Sequence, residues 1–224
     1  GLFCGTKFVN APFTTAAGGT TSADFTGDPT DPSGSEAEVF YAYYPYSAHA
    51  VLEGSVVSGL SIPAVQTFAT KSFATELCPM ATSGADYSRL AFRTIGTVLK
   101  FQVTGQKNVT KIELTGNDGE ALAGDYTIDF VGETPEMKFS GTETTLTLTC
   151  SEPVALNDAS ATEFYFVLPA GIEFTKGITV KVYTDDNAEP MVKEYASPLT
   201  TRPNKLVTVK AFTYSVPVTS IEEA

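Results

Sequence analysis

The feature that most constrains the fold is a series of short segments in which apolar and polar residues alternate. Leu99-Lys100-Phe101-Gln102-Val103 is the clearest of these segments. Others cover residues 40–46, 60–68, 109–114, 126–130, 144–150, 164–168, 178–183 and 206–212. Successive side chains of a strand point to opposite faces, so a period of two indicates half-buried β-strands. Because turn residues separate these segments and no helical period is present, the sequence predicts an all-β antiparallel sandwich.

Composition supports this prediction. The chain has 224 residues, including 32 Thr, 15 Phe and 10 Tyr, and these residue types favour pleated, half-buried surfaces. Apolar residues make up 42% and charged residues 18%, which is too apolar and too weakly charged for a disordered chain. No apolar run approaches the roughly 20 residues that a membrane-spanning helix needs.

Charge and turn composition suggest how the chain is divided. The net charge is −12, which argues against a nucleic-acid partner, because phosphate recognition needs clustered Lys and Arg. Residues 10–38 are rich in Thr, Gly and Asp and predict a flexible loop. Residues 1–88 and 89–224 each carry a charge of −6. We therefore expect an N-terminal β domain over residues 1–88, containing that loop, and a C-terminal β-sandwich domain over residues 89–224.

The residues that could carry catalysis or bind a metal ion are few. His49 is the single histidine, and no Gly-x-Ser-x-Gly motif accompanies it. Asp185 and Asp186 could form a carboxylate pair, but their sequence context is typical of a polar hairpin turn. The carboxylates of residues 24–38 lack calcium-loop spacing. The sequence predicts no catalytic, cofactor-binding or metal-binding residue, no cofactor and no enzymatic activity.

The three cysteines leave two interpretations open. Cys150 ends an alternating segment and is predicted to be a buried strand residue. Cys4 and Cys78 are either separate thiols or, in an oxidising compartment, a disulfide. Thiols are favoured.

A run of tyrosines also has two interpretations. Stacked aromatic rings can bind the apolar faces of sugars, so Tyr41, Tyr43 and Tyr46 are a candidate glycan platform. Aromatic residues of strands more often fill a core or a cross-strand pair, and that interpretation is favoured. The glycan platform is kept as the alternative, in which the chain is a surface carbohydrate-binding module.

Several short motifs, in order, resemble one protein family. Phe40-Tyr41-Ala42-Tyr43-Tyr44-Pro45-Tyr46, followed by Gly59-Leu60-Ser61-Ile62-Pro63-Ala64-Val65-Gln66, resembles the "YAYYP" and "IPxxQ" segments of the fimbrillin-like (Mfa-like) surface proteins of Bacteroides and its relatives. The segments at residues 92–101, 109–114, 124–126 and 201–206 resemble that family's C-terminal domain. The resemblance spans roughly residues 36–214.

The resemblance implies a fold, a location and a mode of assembly. The family fold is two β-sandwich domains, the second of them transthyretin-like. Family members are exported lipoproteins of the outer membrane or fimbrium, and many are subunits, tips or anchors of fimbriae. The implied function is a fimbrial (pilus) subunit or fimbria-associated adhesin that assembles by strand donation. Its implied partners are other fimbrial subunits and host or bacterial surface ligands.

Two departures from the family pattern concern the start of the chain. No lipoprotein cleavage motif precedes Cys4, because Phe3 is too large, so a lipid anchor is expected only on a precursor. The N-terminal segment is also short for the family, and we expect it to lack the first strands.

The C-terminal tail is the candidate assembly strand. Val216, Val218 and Ile221 form an apolar stripe that could enter a groove of a neighbouring subunit. A frayed terminus is the equally weighted alternative.

Overall fold

A computed structural model describes residues 1–5, 8–16, 24–27, 39–186 and 189–215. Within these ranges the chain forms 21 β-strands and two single-turn 3-10 helices, Thr75–Leu77 and Tyr87–Arg89. In chain order the strands are β1 (Leu2–Cys4), β2 (Phe8–Ala11), β3 (Phe40–Tyr44), β4 (Val51–Glu53), β5 (Val56–Ile62), β6 (Val65–Ala69), β7 (Ser72–Phe73), β8 (Met80–Gly84), β9 (Arg93–Thr94), β10 (Thr97–Thr104), β11 (Asn108–Gly116), β12 (Gly124–Asp129), β13 (Glu136–Phe139), β14 (Thr145–Ala155), β15 (Thr162–Leu168), β16 (Glu173–Phe174), β17 (Ile178–Thr184), β18 (Met191–Tyr195), β19 (Leu199–Thr200), β20 (Lys205–Thr208) and β21 (Phe212–Thr213).

The strands are arranged in four main sheets and one small one. The sheets have the orders β2-β1-β3-β8-β9, β18-β17-β11-β14-β6-β7 and β13-β12-β5-β4, with a fourth of order β15-β10-β20 in which β21 also pairs with β10. Strands β16 and β19 form a separate pair. Most pairings are antiparallel, and the exceptions are β10 with β20 and β21, and β14 with β6. The predicted all-β antiparallel sandwich is confirmed.

The main core lies between sheets and follows the predicted alternation. In β10, Leu99, Phe101 and Val103 are fully buried, whereas Lys100 and Gln102 point away from the core and are half-buried. The facing sheet buries Ile112 and Leu114 of β11 in the same cluster. A sheet that alternates in this way buries one face and hydrates the other, as a sandwich requires.

A second, smaller cluster lies on the other face of the N-terminal sheet. It contains Leu2, Cys4, Phe8 and Ala42, with Phe40 packed against it. Tyr41 and Tyr43, which alternate with Phe40 and Ala42 along β3, belong instead to the main core. The predicted division of this strand into two faces is therefore confirmed.

Hydrogen bonding joins the two halves of the chain across residue 88. Strand β5 pairs with β12, and β6 pairs with β14, so strands from before and after that residue share sheets. Phe3 and Ala81 share the main core with β10 and β11. The division at residue 88, as a statement about separately folding domains, stays a prediction.

The loop predicted over residues 10–38 is regular at its start. Asn10 and Ala11 belong to β2, and Thr14 forms an isolated bridge with Thr26. The rest of that range lies largely outside the described residues. No helix in the described part of the chain is long and apolar enough to cross a membrane.

Candidate assembly surface

The last described segment of the chain lies beside β10 as a strap, which we define as residues 205–214. Its first half, β20, pairs in parallel with Thr97–Lys100, and its second half, β21, pairs with Val103 and Thr104. Backbone hydrogen bonds from Val209 N to Lys100 O (2.9 Å) and from Tyr214 N to Thr104 O (2.8 Å) complete the ladder. The strap is therefore an extra strand laid along one side of β10.

Side chains of the strap alternate between the core and the solvent. Phe212 and Tyr214 are buried, and Val207 and Val209 pack against the core while remaining partly exposed. Leu206 points outward and is 56% exposed. The strap thus covers the core with spaced apolar side chains, which is how a separate strand would also fit into that place.

Few contacts hold the strap besides its ladder. Tyr195 donates a hydrogen bond from its hydroxyl to Lys210 O (2.8 Å), and its ring meets Phe212 edge-on at 6.4 Å between centroids. The hydroxyls of Thr104 and Thr213 are 2.8 Å apart. Burial raises the pKa of Tyr195 to about 12. These contacts fix the second half of the strap more firmly than β20.

The outer edge of β20 is open. Among the described residues, β20 pairs only with β10, so half of its backbone N–H and C=O groups face away from any strand. Unpaired groups of this kind are a template for the addition of another strand. Strand β18, which pairs only with β17 in the described part of the chain, presents a second open edge.

The opposite edge of the same sheet is closed by a side chain. Gln66 is 1% exposed, and its amide donates to Val167 O (2.7 Å) and accepts from Val167 N (2.9 Å). The amide thus replaces the two hydrogen bonds that a neighbouring strand would make with β15. Sequence reasoning missed this role, although a glutamine beside strongly apolar strands was a signal that could have drawn attention to it.

The outer face of the sheet is held by a polar network. Lys100 Nζ lies 3.0 Å from Glu163 Oε1, and the Tyr165 hydroxyl donates to Glu163 Oε2 at 2.6 Å. These hydrogen bonds, that from Tyr165 first, hold the pKa of the Glu163 carboxyl below its usual value. The network ties β10 to β15 on the solvent side.

The predicted tail residues cannot be placed. Val216, Val218 and Ile221 lie outside the described residues, which end at Ser215. Ser215 N donates to the Met191 sulfur at 3.3 Å, so the chain leaves the described region next to the open edge of β18.

The three candidate glycan-binding tyrosines do not form one exposed platform. Tyr43 is 1% exposed, donates its hydroxyl hydrogen bond to Asn10 Oδ1 (2.6 Å) and has its pKa raised to about 12 by burial. Tyr41 packs against Phe130 at 5.0 Å between ring centroids. Tyr46 is 44% exposed. Two of the three rings therefore belong to the core, as the favoured interpretation predicts.

The other sequence candidates are separated in space or have structural roles. His49 is exposed, and no group of three or more His, Cys, Asp or Glu side chains among the described residues could hold a metal ion. Asp185 and Asp186 lie in the predicted turn after β17 and accept hydrogen bonds from Asn108 and Lys107.

The cysteines are core residues. Cys4 and Cys78 are both buried and are not joined by a disulfide. Burial raises the pKa of the Cys78 thiol, and raises that of half-buried Cys150 to about 11. A raised thiol pKa lowers reactivity, so these positions fit packing roles.

Comparisons with known proteins found no matching family model and no matching curated protein. Among solved structures, a candidate cell adhesion protein from Bacteroides uniformis is similar over 88% of this chain and 73% of its own, with a TM-score of 0.48 and 13% identity. A candidate cell adhesion protein from Bacteroides fragilis is similar over 93% of this chain and 75% of its own, with a TM-score of 0.44 and 12% identity.

Proposed function

We propose that the chain is a non-enzymatic adhesion protein of the bacterial surface, a fimbrial subunit or fimbria-associated adhesin, whose copies or partner subunits join by strand donation. The observation that carries this proposal is the strap, a short parallel strand pair beside β10 with an open outer edge. The resemblance of the sequence to fimbrillin-like proteins supports the same function.

Strand donation fits the physical chemistry of the strap. If residues 205–214 leave β10, they expose one row of backbone groups on β10 and an apolar groove formerly covered by Val207, Val209 and Phe212. A donated strand would restore both the hydrogen bonds and the burial. The exchange is therefore close to neutral in contacts, and its direction is set by how many residues the donor can pair.

The tail has a suitable donor pattern. Val216-Pro217-Val218 repeats the apolar-x-apolar spacing of Val207-Thr208-Val209 in the strap. Pro217 lacks an N–H group, which an edge strand tolerates when that position faces away from the ladder. We infer that Val216, Val218 and Ile221 are the side chains a neighbouring subunit would bury.

The remaining parts of the proposal concern location and partners. We place the protein at the outer membrane or in a fimbrium, held through a lipid anchor on the precursor, with other fimbrial subunits and host or bacterial surface ligands as partners. Neither a cofactor nor a nucleic acid has a role in this function.

The test is filament formation by the full-length protein in cells, followed by electron microscopy with an antibody against this chain. Substituting Val216→Asp with Val218→Asp should abolish labelled filaments, because each buried carboxylate would lack a partner. The matched control, Ser215→Asp with Thr219→Asp, makes the same change in charge and should leave filaments intact. Filaments that persist after residues 215–224 are deleted would overturn the proposal.

A further inference from the structure

Two clefts adjoin each other where the loop before β20 meets the loop before β10. The first encloses about 380 Å³ and is lined by Arg93, Thr94 and Glu136, among others. The second encloses about 360 Å³ and is lined by Lys71, Ser72 and Lys205, among others. Thr94 and Asn204 line both clefts, so the two form one bilobed groove. Each lobe has the size of a small-ligand site.

The two loops that shape the groove are fixed to each other. Thr97 donates from its hydroxyl to Arg202 O at 2.7 Å, and Asn204 N donates to Gly96 O at 3.0 Å. Asn204 has a φ of 57°, and this turn of the backbone places it between the lobes at the start of β20. The groove is therefore preformed by backbone contacts, which lowers the cost of binding.

The charge of the groove opposes that of the molecule. Acidic residues outnumber basic ones by 26 to 14 in the whole chain. Three basic side chains line the groove, Arg93 in one lobe with Lys71 and Lys205 in the other, against one acidic side chain, Glu136. The Glu136 carboxylate is paired with Lys138 Nζ at 2.7 Å.

The three basic groups of the groove are also available. Within the described residues, none of Lys71, Arg93 and Lys205 has a carboxylate within ion-pair distance, unlike Lys100, Lys107, Lys111, Lys138 and Lys176. Cations without a partner in an acidic protein attract an anion by a long-range field as well as by contact.

The rest of the lining suits a polyhydroxylated ligand. Ser72, Thr94, Thr134 and Asn204 offer hydroxyl and amide groups, which donate to and accept from sugar hydroxyls. Phe73, with Leu206 beside it, gives the second lobe an apolar wall against which the C–H face of a sugar ring can pack.

We propose that this groove binds an anionic oligosaccharide, with carboxylate or sulfate groups on successive sugars contacting Arg93 in one lobe and Lys71 and Lys205 in the other. A ligand with repeated charges matches two lobes that each carry a cation. An acidic extended peptide fits less well, because Asn204 interrupts the straight path that strand addition needs, and β9 offers only two residues of edge.

The proposal is independent of assembly through the tail. Its test is calorimetric titration of the full chain with tetragalacturonate and with a heparin-derived tetrasaccharide, which distinguish carboxylate from sulfate. Maltotetraose serves as the neutral control and hexaglutamate as the acidic peptide. We expect at least one anionic tetrasaccharide to bind, maltotetraose not to bind, and raised salt to weaken binding.

Matched variants locate the site. Lys71→Gln with Arg93→Gln and Lys205→Gln should weaken binding about tenfold or more, because three surface ion pairs each contribute a few-fold. Lys181→Gln with Lys193→Gln and Lys210→Gln removes the same charge elsewhere and should change affinity by less than about twofold. Both variants should keep the unfolding midpoint of the parent, and both should still form filaments.

Amide chemical shifts map the contact directly. Titration with the binding tetrasaccharide should shift the amides of Thr94 and Asn204, which line both lobes. Equal losses of affinity in the two triple variants, tighter binding of hexaglutamate, or no binding of either anionic tetrasaccharide would each overturn the proposal.

Discussion

The two edges of the sheet β15-β10-β20 differ in how they are finished. On one side, β10 pairs with β15 in an antiparallel ladder that runs from Thr97 to Val103, and the outer edge of β15 is closed by Gln66. On the other side, β10 meets β20 and β21 in two short parallel runs, and the outer edge of β20 is open. One edge is part of the core, and the other is built so that a strand can be added or exchanged.

The difference shows how a sandwich can be both stable and able to polymerise. Phe164, Phe166 and Leu168 of β15 are completely buried, so separating β15 from β10 would expose the centre of the core. Lys205, Leu206 and Thr208 of β20 are exposed, so β20 can separate at much lower cost. Stability and assembly are therefore assigned to opposite edges of one sheet.

The largest expected effect comes from truncating one side chain on each edge. Phe166→Ala should destabilise the protein by about 3–5 kcal/mol, because its ring is fully buried and meets Phe101 edge-on. Leu206→Ala should change stability by no more than about 0.5 kcal/mol, since its side chain is exposed. Urea unfolding of both variants measures the contrast. Similar losses at the two positions would show that β20 is as firmly held as β15.

The second prediction removes the side chain that closes the β15 edge. Gln66→Met keeps a similar volume but leaves the backbone N–H and C=O of buried Val167 without partners, so we expect a loss of about 2–4 kcal/mol. Gln102→Met is the control, because Gln102 lies on the outer face and makes one long contact (3.4 Å) with Glu163. It should cost less than about 0.5 kcal/mol. Equal effects would refute the edge-closing role of Gln66.

The third prediction concerns the anchor of the strap at alkaline pH. The pKa of Tyr195 is about 12 in the folded state, because of burial, and the usual tyrosine pKa is about 10. The folded state therefore holds the phenolic proton more tightly, and stability should fall as pH rises from about 10 to 12. Tyr195→Phe loses the hydrogen bond to Lys210 O, at a cost of about 1 kcal/mol at pH 8.

Urea unfolding at pH 8 and pH 11 tests this anchor. The gap in stability between the parent and Tyr195→Phe should narrow at pH 11, because the parent alone pays for ionising this phenol. Tyr43→Phe provides a comparison at a buried phenol far from the strap. A gap that is the same at both values of pH would contradict the prediction.

The smallest expected effect lies on the solvent face of the closed edge. Glu163→Gln should cost less than about 1 kcal/mol at pH 7, because partly exposed ion pairs contribute little. The pKa of Glu163 is lowered by its hydrogen bonds from Tyr165 and Lys100, so its contribution is present above the usual carboxyl pKa and is lost as pH falls through the lowered value. The difference between parent and variant should therefore disappear near pH 2. A difference that persists there would mean that packing, and not charge, holds this network.

The strands with a clean alternation were predictable from the sequence. Leu99, Phe101 and Val103 point into the core as the pattern requires, and the two faces of β3 separate as expected. Strands β1 and β2 were missed, because β1 has no polar residue to alternate with and Asn10 and Ala11 were assigned to the loop. Local pattern has little power where a strand is short.

Pairing between distant segments could not be predicted. Gln66 and Val167 are 101 residues apart, and no local signal specifies that one closes the edge of the other. For the same reason, the pairing of β5 and β6 with strands beyond residue 88 was not foreseen. Of the candidate assembly site, the sequence indicated the tail and the strand near residues 206–212, whereas the open edge and the parallel register depend on tertiary packing.

Native-state amide hydrogen exchange tests the central claim most directly, because hydrogen-bonded amides exist on both sides of β10. Val209 N and Tyr214 N bond to β10 from the strap, and Val167 N bonds to Gln66 Oε1 on the closed edge. We predict that Val209 and Tyr214 exchange through local opening, at least about a hundredfold faster than Val167, which exchanges only on global unfolding. Equal exchange at all three amides would contradict the account, because the strap would then be as permanent as β15.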